Sequence, residues 1–288
     1  MAVRRFAERV RELPRLGLGV STEYGAGAAA GALDVAALRA GWPQFAQFLE
    51  VGVEVVKGLD GPAQAWTRAG LPTTYHFLDV NLDEPVDLEP GWLAEVGALA
   101  RGMRAAWLCG DAGWWHFAAR DRGHMLLLPP VLTRESADAM ADGLMRVRDA
   151  TGLEVLPENP PGQVFVGDLG LLEFFARVCE RADTGMLLDC AHLAIYQRVM
   201  GRDALAGLEG FPLERVVELH VAGGSLREVA GWQFVEDDHV PAVLPETWRI
   251  FERVAPRAGN LKAVVFECER NPVAACLEGF ERIAGVWR

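Results

Sequence analysis

Short apolar runs alternate with longer segments of helical periodicity along the whole chain. Eight of these runs predict β-strands, at residues 16–21, 48–53, 73–80, 105–111, 153–159, 185–191, 215–222 and 263–269. The runs are continuous in apolar character rather than alternating, which is typical of parallel strands that are buried on both faces.

Helical patterns separate the predicted strands, at residues 35–47, 90–103, 134–152, 169–185 and 244–256. The third has Thr133 as its predicted N-cap and Gly152 as its C-cap. Alternating strands and helices in a chain of 288 residues predict a single (β/α)8 TIM barrel that spans residues 1–288. A doubly wound open sheet is the alternative, but no GxGxxG motif follows the first strand.

Composition and charge restrict the partners and the compartment. A hydrophobic fraction of 51% is enough for a full core, and a net charge of -12 without a basic block argues against a nucleic-acid partner. No apolar run approaches the ~18 residues of a transmembrane helix, and the N-terminal segment is too charged for a signal peptide. The five cysteines are an odd number without a CxxC pair, which indicates reduced thiols and a cytoplasmic protein.

Residues that commonly bind metals stand at or shortly after the ends of several predicted strands. They are His76, Glu158, Asp189, His192, His220, Asp237, His239 and Glu267. Taken alone, each is more often a satisfied core or loop residue, but strand ends of a barrel converge on one cavity. Four histidines and four carboxylates in one cavity need counter-charges, and mixed imidazole and carboxylate ligands suit iron, manganese or zinc. The absence of thiolate spacing argues against a structural zinc site.

Two further features concern the same end of the barrel. Glu267 and Glu269 flank Cys268, so both carboxylates point to the same side of their strand. The connections at 114–130 and 223–239 are long and leave from this end, so we expect them to cover or line the pocket.

The ordered set of segments resembles the DUF692 family of multinuclear non-heme iron-dependent oxidases (MNIOs), which includes the oxidases of methanobactin and 3-thiaglutamate biosynthesis. The matching segments lie at 17–20, 48–51, 127–133, 158–160, 187–189, 220–223, 237–239 and 266–271. The resemblance spans nearly the whole chain, and the order of the segments is specific although no single segment is.

This resemblance implies a TIM barrel with two or three iron ions in mixed Fe(II)/Fe(III) valence and O2 as co-substrate. The modified group would be a residue, expected to be cysteine, of a ribosomally made precursor peptide. The resemblance implies metal binding by His76, Glu158, Asp189, His220, Asp237, His239 and Glu267, and by His192 where many members have asparagine. Asp111, Asn159 and Glu269 are the catalytic-site candidates that would orient ligands or substrate. A partner protein with a peptide-recognition domain is also expected.

Three positions depart from the family pattern. Gly52 stands in place of the histidine of a Glu-Val-His-x-Glu-Asn motif, in which Glu54 matches a pocket glutamate. Tyr24, beside Glu23, replaces a histidine after the first strand, and Gly110-Asp111 replaces a Glu/Asp-His pair. Glu54, Glu23 and Tyr24 are therefore candidate pocket residues. One iron site is either rebuilt with Asp111 or Glu23 or lost, so two metals are as consistent with the sequence as three.

Two other functions fit parts of the same pattern. Divalent-metal barrels of the xylose-isomerase or endonuclease-IV type share His, Asp and Glu at strand ends, and the predicted barrel is xylose-isomerase-like. Zinc or manganese content without O2 consumption would favour that class. A catalytically inactive barrel that binds a partner is the third hypothesis, but retention of so many buried ionisable groups argues against it.

Overall fold

Eight parallel strands close into a barrel in the computed structural model, which describes residues 4–22, 31–117, 120 and 127–287. They are β1 (Gly17–Thr22), β2 (Leu49–Val53), β3 (Thr73–Phe77), β4 (Ala105–Asp111), β5 (Val155–Glu158), β6 (Met186–Asp189), β7 (Val216–Ala222) and β10 (Ala263–Glu267). Each strand pairs with its neighbour along the chain, and β10 closes the ring by pairing with β1. The predicted (β/α)8 barrel is therefore confirmed.

Helices connect successive strands on the outside of the barrel, except for the first, which precedes β1 and covers the N-terminal end, and the last, which follows β10. They are α1 (Phe6–Arg9), α2 (Val35–Gly41), α3 (Gly61–Arg68), α4 (Pro90–Met103), α5 (Arg134–Thr151), α6 (Leu171–Ala182), α7 (Cys190–Val199), α8 (Pro245–Val254) and α9 (Val273–Val286). The caps predicted for α5 are confirmed: the Thr133 side chain accepts a hydrogen bond from the Ser136 amide, and Gly152 has a φ of 75°. The helix predicted at 35–47 ends at Gly41, because Pro43 has no amide hydrogen and disfavours helical geometry at Trp42.

The long connection after β7 contains a β-hairpin that the apolar pattern did not predict. Its strands are β8 (Ser225–Val229) and β9 (Trp232–Glu236), which form a separate two-stranded antiparallel sheet. A two-residue turn joins them, and both turn residues have positive φ, 50° at Ala230 and 82° at Gly231. This is the combination of a type I′ turn, whose twist matches that of the strands it joins.

The two ends of the barrel differ in character. Near the N-terminal ends of the strands, α1 packs Phe6 against apolar side chains of the barrel interior such as Trp107 and Val217. The interior of the opposite end carries the candidate metal ligands, as the C-terminal ends of barrel strands commonly do. Glu218, which accepts a hydrogen bond of 2.7 Å from Trp107 Nε1, lies deeper in the barrel. Among the described residues, no helix combines the length and apolar character that crossing a membrane requires.

Candidate metal centre

The strand register brings the ionisable residues to one level of the barrel. Asp111 on β4 pairs in register with Glu158 on β5, and Asp189 on β6 pairs with His220 on β7. Glu267, the last residue of β10, lies beside Ala222, two residues beyond His220. These side chains reach a common interior because successive strands of a closed barrel present their ends side by side.

A cavity of about 270 Å³ opens at this level. Its ionisable lining residues are Glu50, His76, Asp111, His192, Asp237, His239, Glu267 and Arg270. Trp115 and Leu127, from the connection after β4, contribute part of its apolar wall. That connection therefore lines the pocket, as expected, although residues 118–119 and 121–126 lie outside the described part of the chain.

Glu158 lies between two of the histidines. His76 Nε2 is 2.9 Å from Glu158 Oε2, and His220 Nδ1 is 3.3 Å from Glu158 Oε1. The same nitrogen of His220 is 3.3 Å from Glu267 Oε1 and 3.9 Å from Asp189 Oδ2. The three carboxylates therefore surround the Nδ1 atom of one fully buried imidazole.

Asp237 joins the other two histidines. Its Oδ2 atom is 2.8 Å from His192 Nε2 and 3.5 Å from His239 Nε2. His239 Nε2 is also 3.9 Å from Glu267 Oε2, which connects this group to the one around Glu158. The structure thus brings together all eight residues that the sequence singled out as candidate metal ligands.

The second ring nitrogen of three histidines contacts an oxygen outside this set. His192 Nδ1 is 2.9 Å from the Asn159 carbonyl oxygen, and His239 Nδ1 is 2.6 Å from Glu269 Oε1. His220 Nε2 is 3.0 Å from Glu50 Oε1, an ion-pair distance without hydrogen-bond geometry. Such outer contacts fix the ring orientation and direct the remaining nitrogen toward a metal.

Local backbone structure fixes several of these side chains. Asp189 is the N-cap of α7, and its Oδ1 atom accepts a hydrogen bond of 2.5 Å from the His192 amide in the first helical turn. Asn159 exchanges two hydrogen bonds with the Asp189 backbone, of 2.9 and 3.0 Å. His239 has a φ of 52°, and its carbonyl oxygen accepts a hydrogen bond of 2.6 Å from Asn271 Nδ2. A left-handed histidine is uncommon, and strained residues concentrate at functional sites.

Unsatisfied oxygens in the cluster fit a bound cation. Asp111 Oδ1, Asp189 Oδ2, Asp237 Oδ1 and Glu267 Oε2 are buried and have no hydrogen-bond partner among the described residues. Ligand atoms within 4.8 Å of one another occur in His76–Asp111–Glu158, in Glu158–Asp189–His192 and in Glu50–His220–Glu267. Because unpaired buried carboxylates are costly, the donor set suits divalent or trivalent metal ions.

The carboxylates and imidazoles shift one another's protonation. Burial lowers the pKa of His76, but the carboxylates of Glu50 and Glu158 outweigh burial and raise this pKa to about 10. Burial raises the pKa of Asp189 to about 7, with Glu267 acting in the same direction and His192 opposing it. For Glu158, burial is outweighed by His220 and His76, so its pKa lies well below the usual range. The metal-free cluster therefore holds protons on its histidines, which a metal ion would displace.

Glu50 belongs to the cluster, whereas sequence reasoning had singled out Glu54. Glu50 is 1% exposed and faces His220 from β2. Glu54 lies beyond the end of β2 at Val53 and forms an ion pair with Lys57, so the structure does not bring it into the cluster. Alternate residues of a strand point to the same face, so Glu50 shares a face with Gly52. Gly52 lines the cavity, and its place in the family motif was the signal that could have identified Glu50.

The remaining sequence candidates fall into three groups. Asp111 lies in the cluster itself, while Asn159 and Glu269 contact it from outside through His192 and His239. Glu23 and Tyr24 lie outside the described residues.

Solved structures with the same architecture cover nearly the whole chain. A xylose isomerase-like TIM barrel protein from Mycobacterium smegmatis in complex with magnesium has a TM-score of 0.58 at 11% identity, covering 96% of this chain and 97% of that one. A D-tagatose 3-epimerase-like protein has a TM-score of 0.56 at 13% identity, covering 94% and 96%. At such identities the likeness shows the fold alone, a xylose-isomerase-like TIM barrel.

Sequence relatives identify the family. A UPF0276 protein of Chromobacterium violaceum is 33% identical over 199 residues, which cover 68% of this chain and 68% of the relative. A UPF0276 protein of Rhizobium meliloti is 26% identical over 224 residues, covering 76% and 72%. The sequence model described as "RiPP precursor modification enzyme MbnB/TglH/ChrH" matches residues 32–285. The chain therefore belongs to the MbnB/TglH/ChrH family of RiPP precursor modification enzymes, the family of the MNIO resemblance.

Proposed function

We propose that the protein is a multinuclear non-heme iron oxidase that uses O2 to modify a residue, cysteine in the first instance, of a ribosomally made precursor peptide. The observation that carries this proposal is the cluster of four histidines and four carboxylates, five of which line the cavity while Glu158, Asp189 and His220 contact these five from within the barrel. Several of its carboxylate oxygens have no hydrogen-bond partner among the described residues. Family membership supports a peptide substrate. Iron suits a mixed set of imidazole and carboxylate ligands.

The chain would hold at least two iron ions. His76, Asp111 and Glu158 form one set of candidate ligands, and His220 with Glu267 belongs to another. Asp237 lies between His192 and His239 and extends the second set. Asp111 occupies the strand end where relatives carry a histidine, so we propose that its carboxylate is the replacement ligand.

Bound iron would supply the one-electron redox chemistry that an oxidation by O2 requires. The protein's own residues hold and shield the reacting group. Asn159, Glu269 and Glu50 orient three imidazoles through their outer nitrogens. Trp115, Leu127 and other apolar side chains of the wall restrict water around the substrate side chain.

A cavity of about 270 Å³ admits the reacting part of a peptide and leaves the rest of it outside. Recognition of the remainder then depends on surfaces around the cavity or on another protein. A partner protein with a peptide-recognition domain therefore belongs to the same proposal.

Anaerobic reconstitution with Fe(II), followed by metal quantification and Mössbauer spectroscopy, tests the proposal. We expect two or more iron ions per chain, magnetic coupling between them, and O2 consumption that rises when a cysteine-containing peptide is added. His220→Ala should lower the iron content, while Asp149→Asn on the exposed face of α5 should leave it unchanged. Tight zinc or manganese binding, with no iron retained and no O2 consumed, would instead favour a divalent-metal isomerase or hydrolase.

A further inference from the structure

The hairpin of β8 and β9 stands at the rim of the cavity and is attached to the candidate metal centre at both ends. Its first strand follows β7, which carries His220, after only Gly223 and Gly224. Its second strand is followed directly by Asp237, and His239 comes two residues later. An extended segment of another molecule that lay along this hairpin would therefore reach the candidate metal ligands.

Close contacts hold the base of the hairpin in place. A Cβ atom at Gly223 would lie 1.9 Å from the Val240 carbonyl oxygen, so the backbone there packs directly on the segment after His239. Gln163 Nε2 donates a hydrogen bond of 2.8 Å to the Val235 carbonyl oxygen. Gln163 follows Pro161, which lines the cavity, so the hairpin is tied to two sides of the rim.

The outer part of the hairpin exposes large apolar side chains. Trp232 is 79% exposed, Val229 is 62% exposed and Leu226 is 61% exposed. Val229 and Trp232 are directly opposite one another across the two strands, so their side chains share a face. Exposed apolar groups on a hairpin that begins and ends at a cavity rim are typical of a binding surface.

The hairpin also has an open edge. Within the described part of the chain, β8 pairs with β9 and with no other strand. The outer edge of such a strand presents backbone amide and carbonyl groups that another extended chain can pair with. A small sugar could fill the cavity but would leave this edge unused, whereas a polypeptide can occupy both at once.

We propose that this hairpin docks the peptide substrate. A segment next to the reacting residue adds to the free edge of β8 as a further strand, and an apolar side chain of the peptide packs on Trp232 and Val229. This inference rests on the proposed function, because it takes the substrate to be a peptide. The hairpin thereby selects substrates with an extended, partly apolar segment beside the reacting residue.

Binding of a defined peptide pool tests this assignment without requiring turnover. The probe is a synthetic library of random dodecapeptides with one central cysteine, selected anaerobically on the iron-loaded protein. For the most enriched peptide, we expect Trp232→Ser to weaken binding about tenfold, as loss of an exposed aromatic anchor does. Trp42→Ser is the matched control, since Trp42 is 37% exposed at the end of α2, on the opposite end of the barrel. Iron content and melting temperature establish that each variant is folded.

Hydrogen exchange on the wild-type protein gives a second measurement that needs no variant. Amides of Ser225–Val229 should exchange more slowly when the selected peptide is bound. The inference is overturned if no peptide is enriched, if Trp232→Ser binds as wild type does, or if exchange in β8 is unchanged. Protection of β8 without peptide, together with a dimeric mass, would assign the edge to a second copy of the chain and also overturn it.

The two proposals fail in different ways. A peptide that binds on β8 but stimulates no O2 consumption contradicts the oxidase and leaves the docking surface standing. A peptide that is oxidised while β8 exchange is unchanged contradicts the docking surface and leaves the oxidase standing.

Discussion

At the scale of single residues, the candidate centre depends on which nitrogen each histidine presents. Outer oxygens contact His192 and His239 at Nδ1 and His220 at Nε2. The other nitrogens face the cluster carboxylates, Nε2 of His192 and His239 toward Asp237 and Nδ1 of His220 toward Glu158. Because these outer contacts fix the rings before metal binds, they reduce the reorganisation that binding requires.

Removing the charge of Glu50 tests this view of ring orientation. In Glu50→Gln the group that faces His220 Nε2 keeps its size but loses its charge, so we expect metal affinity to fall about tenfold or more. Competition against a chromophoric chelator under anaerobic conditions measures the affinity. Glu54→Gln serves as the control, because Glu54 pairs with Lys57 outside the cluster and its loss should leave the affinity unchanged. Equal affinities in the two variants would remove Glu50 from the centre.

The contrast between these two glutamates shows what sequence can predict at this scale. Residues 50, 52 and 54 share one parity, and parity predicts a common face only while the strand continues. β2 ends at Val53, so Glu54 leaves the barrel interior. The residue types of the cluster could be chosen from the sequence, but which side chain reaches it depends on where each strand ends.

At the scale of secondary-structure elements, the hairpin turn carries backbone strain. A type I′ turn needs positive φ at both central residues, and the chain places alanine at the first, with a φ of 50° at Ala230. A left-handed alanine costs roughly 1–2 kcal/mol, whereas asparagine and glycine adopt this geometry readily. The Ala-Gly turn is thus less stable than an Asn-Gly turn of the same geometry would be.

Two substitutions in the turn, one at Ala230 and one at Gly231, should change the stability of the hairpin in opposite directions. Ala230→Asn is expected to stabilise it by about 0.5–1 kcal/mol, which slows amide exchange in β8 and β9 about two- to fivefold. Gly231→Ala is expected to destabilise it by a similar amount, because no atom lies within 4 Å of the added Cβ and only the φ of 82° opposes it. Hydrogen exchange of the two strands measures both effects. Identical exchange in the two variants would contradict the strained turn.

Elements with strong local signals were predictable, and the hairpin was not. For α5, Thr133 and Gly152 marked both ends because capping is a local interaction. The strands of the hairpin lack a clean alternation of apolar and polar residues, and Ala-Gly is a weaker turn signal than Asn-Gly. The base of the hairpin is also held by Gln163, which is far from it in the sequence, and by close packing of Gly223 on the Val240 backbone. Neither contact leaves a periodic pattern in the sequence.

At the scale of the whole molecule, the two ends of the barrel have separate tasks. The N-terminal end is closed by α1, where Arg9 donates to the Asp183 carbonyl oxygen and Asp183 Oδ2 accepts a hydrogen bond of 2.8 Å from the Phe6 amide. The other end is open and carries the ionisable cluster. The order of metal-binding residue types predicted the open end, whereas nothing in the apolar pattern indicated that α1 closes the other.

Closure by α1 should make stability depend on pH through Asp183. Burial raises its pKa, but the Phe6 amide and Arg215 outweigh burial and hold this pKa below the ordinary value. A depressed folded-state pKa contributes stability above the unfolded value of about 3.9, and this stability is lost as pH falls through the folded value. Asp183→Asn should therefore be less stable than wild type near neutral pH and equal to it in strong acid.

The expected difference is below about 1 kcal/mol, because the Asp183 side chain is 41% exposed. Asparagine tolerates the φ of 46° at this position, so the substitution changes charge without adding backbone strain. Urea unfolding of both proteins, at neutral pH and in acid, measures this difference in the free energy of unfolding. A difference that persists unchanged in acid would contradict the electrostatic origin.

Metal removal is the sharpest global test, because the cluster joins seven strands of the barrel, α7 and the segment after β9. A ligand that binds only the folded chain stabilises it by about 2.7 kcal/mol when its free concentration is a hundred times its dissociation constant. Chelation should therefore lower the melting temperature of the iron-loaded protein, and anaerobic Fe(II) should restore it. In Asp189→Ala the metal-dependent shift should largely disappear, because the loss removes one carboxylate shared by two histidines. If neither chelator nor iron changes the melting temperature of the wild-type protein, the buried charges are balanced by protons alone. That result would contradict the proposed metal centre.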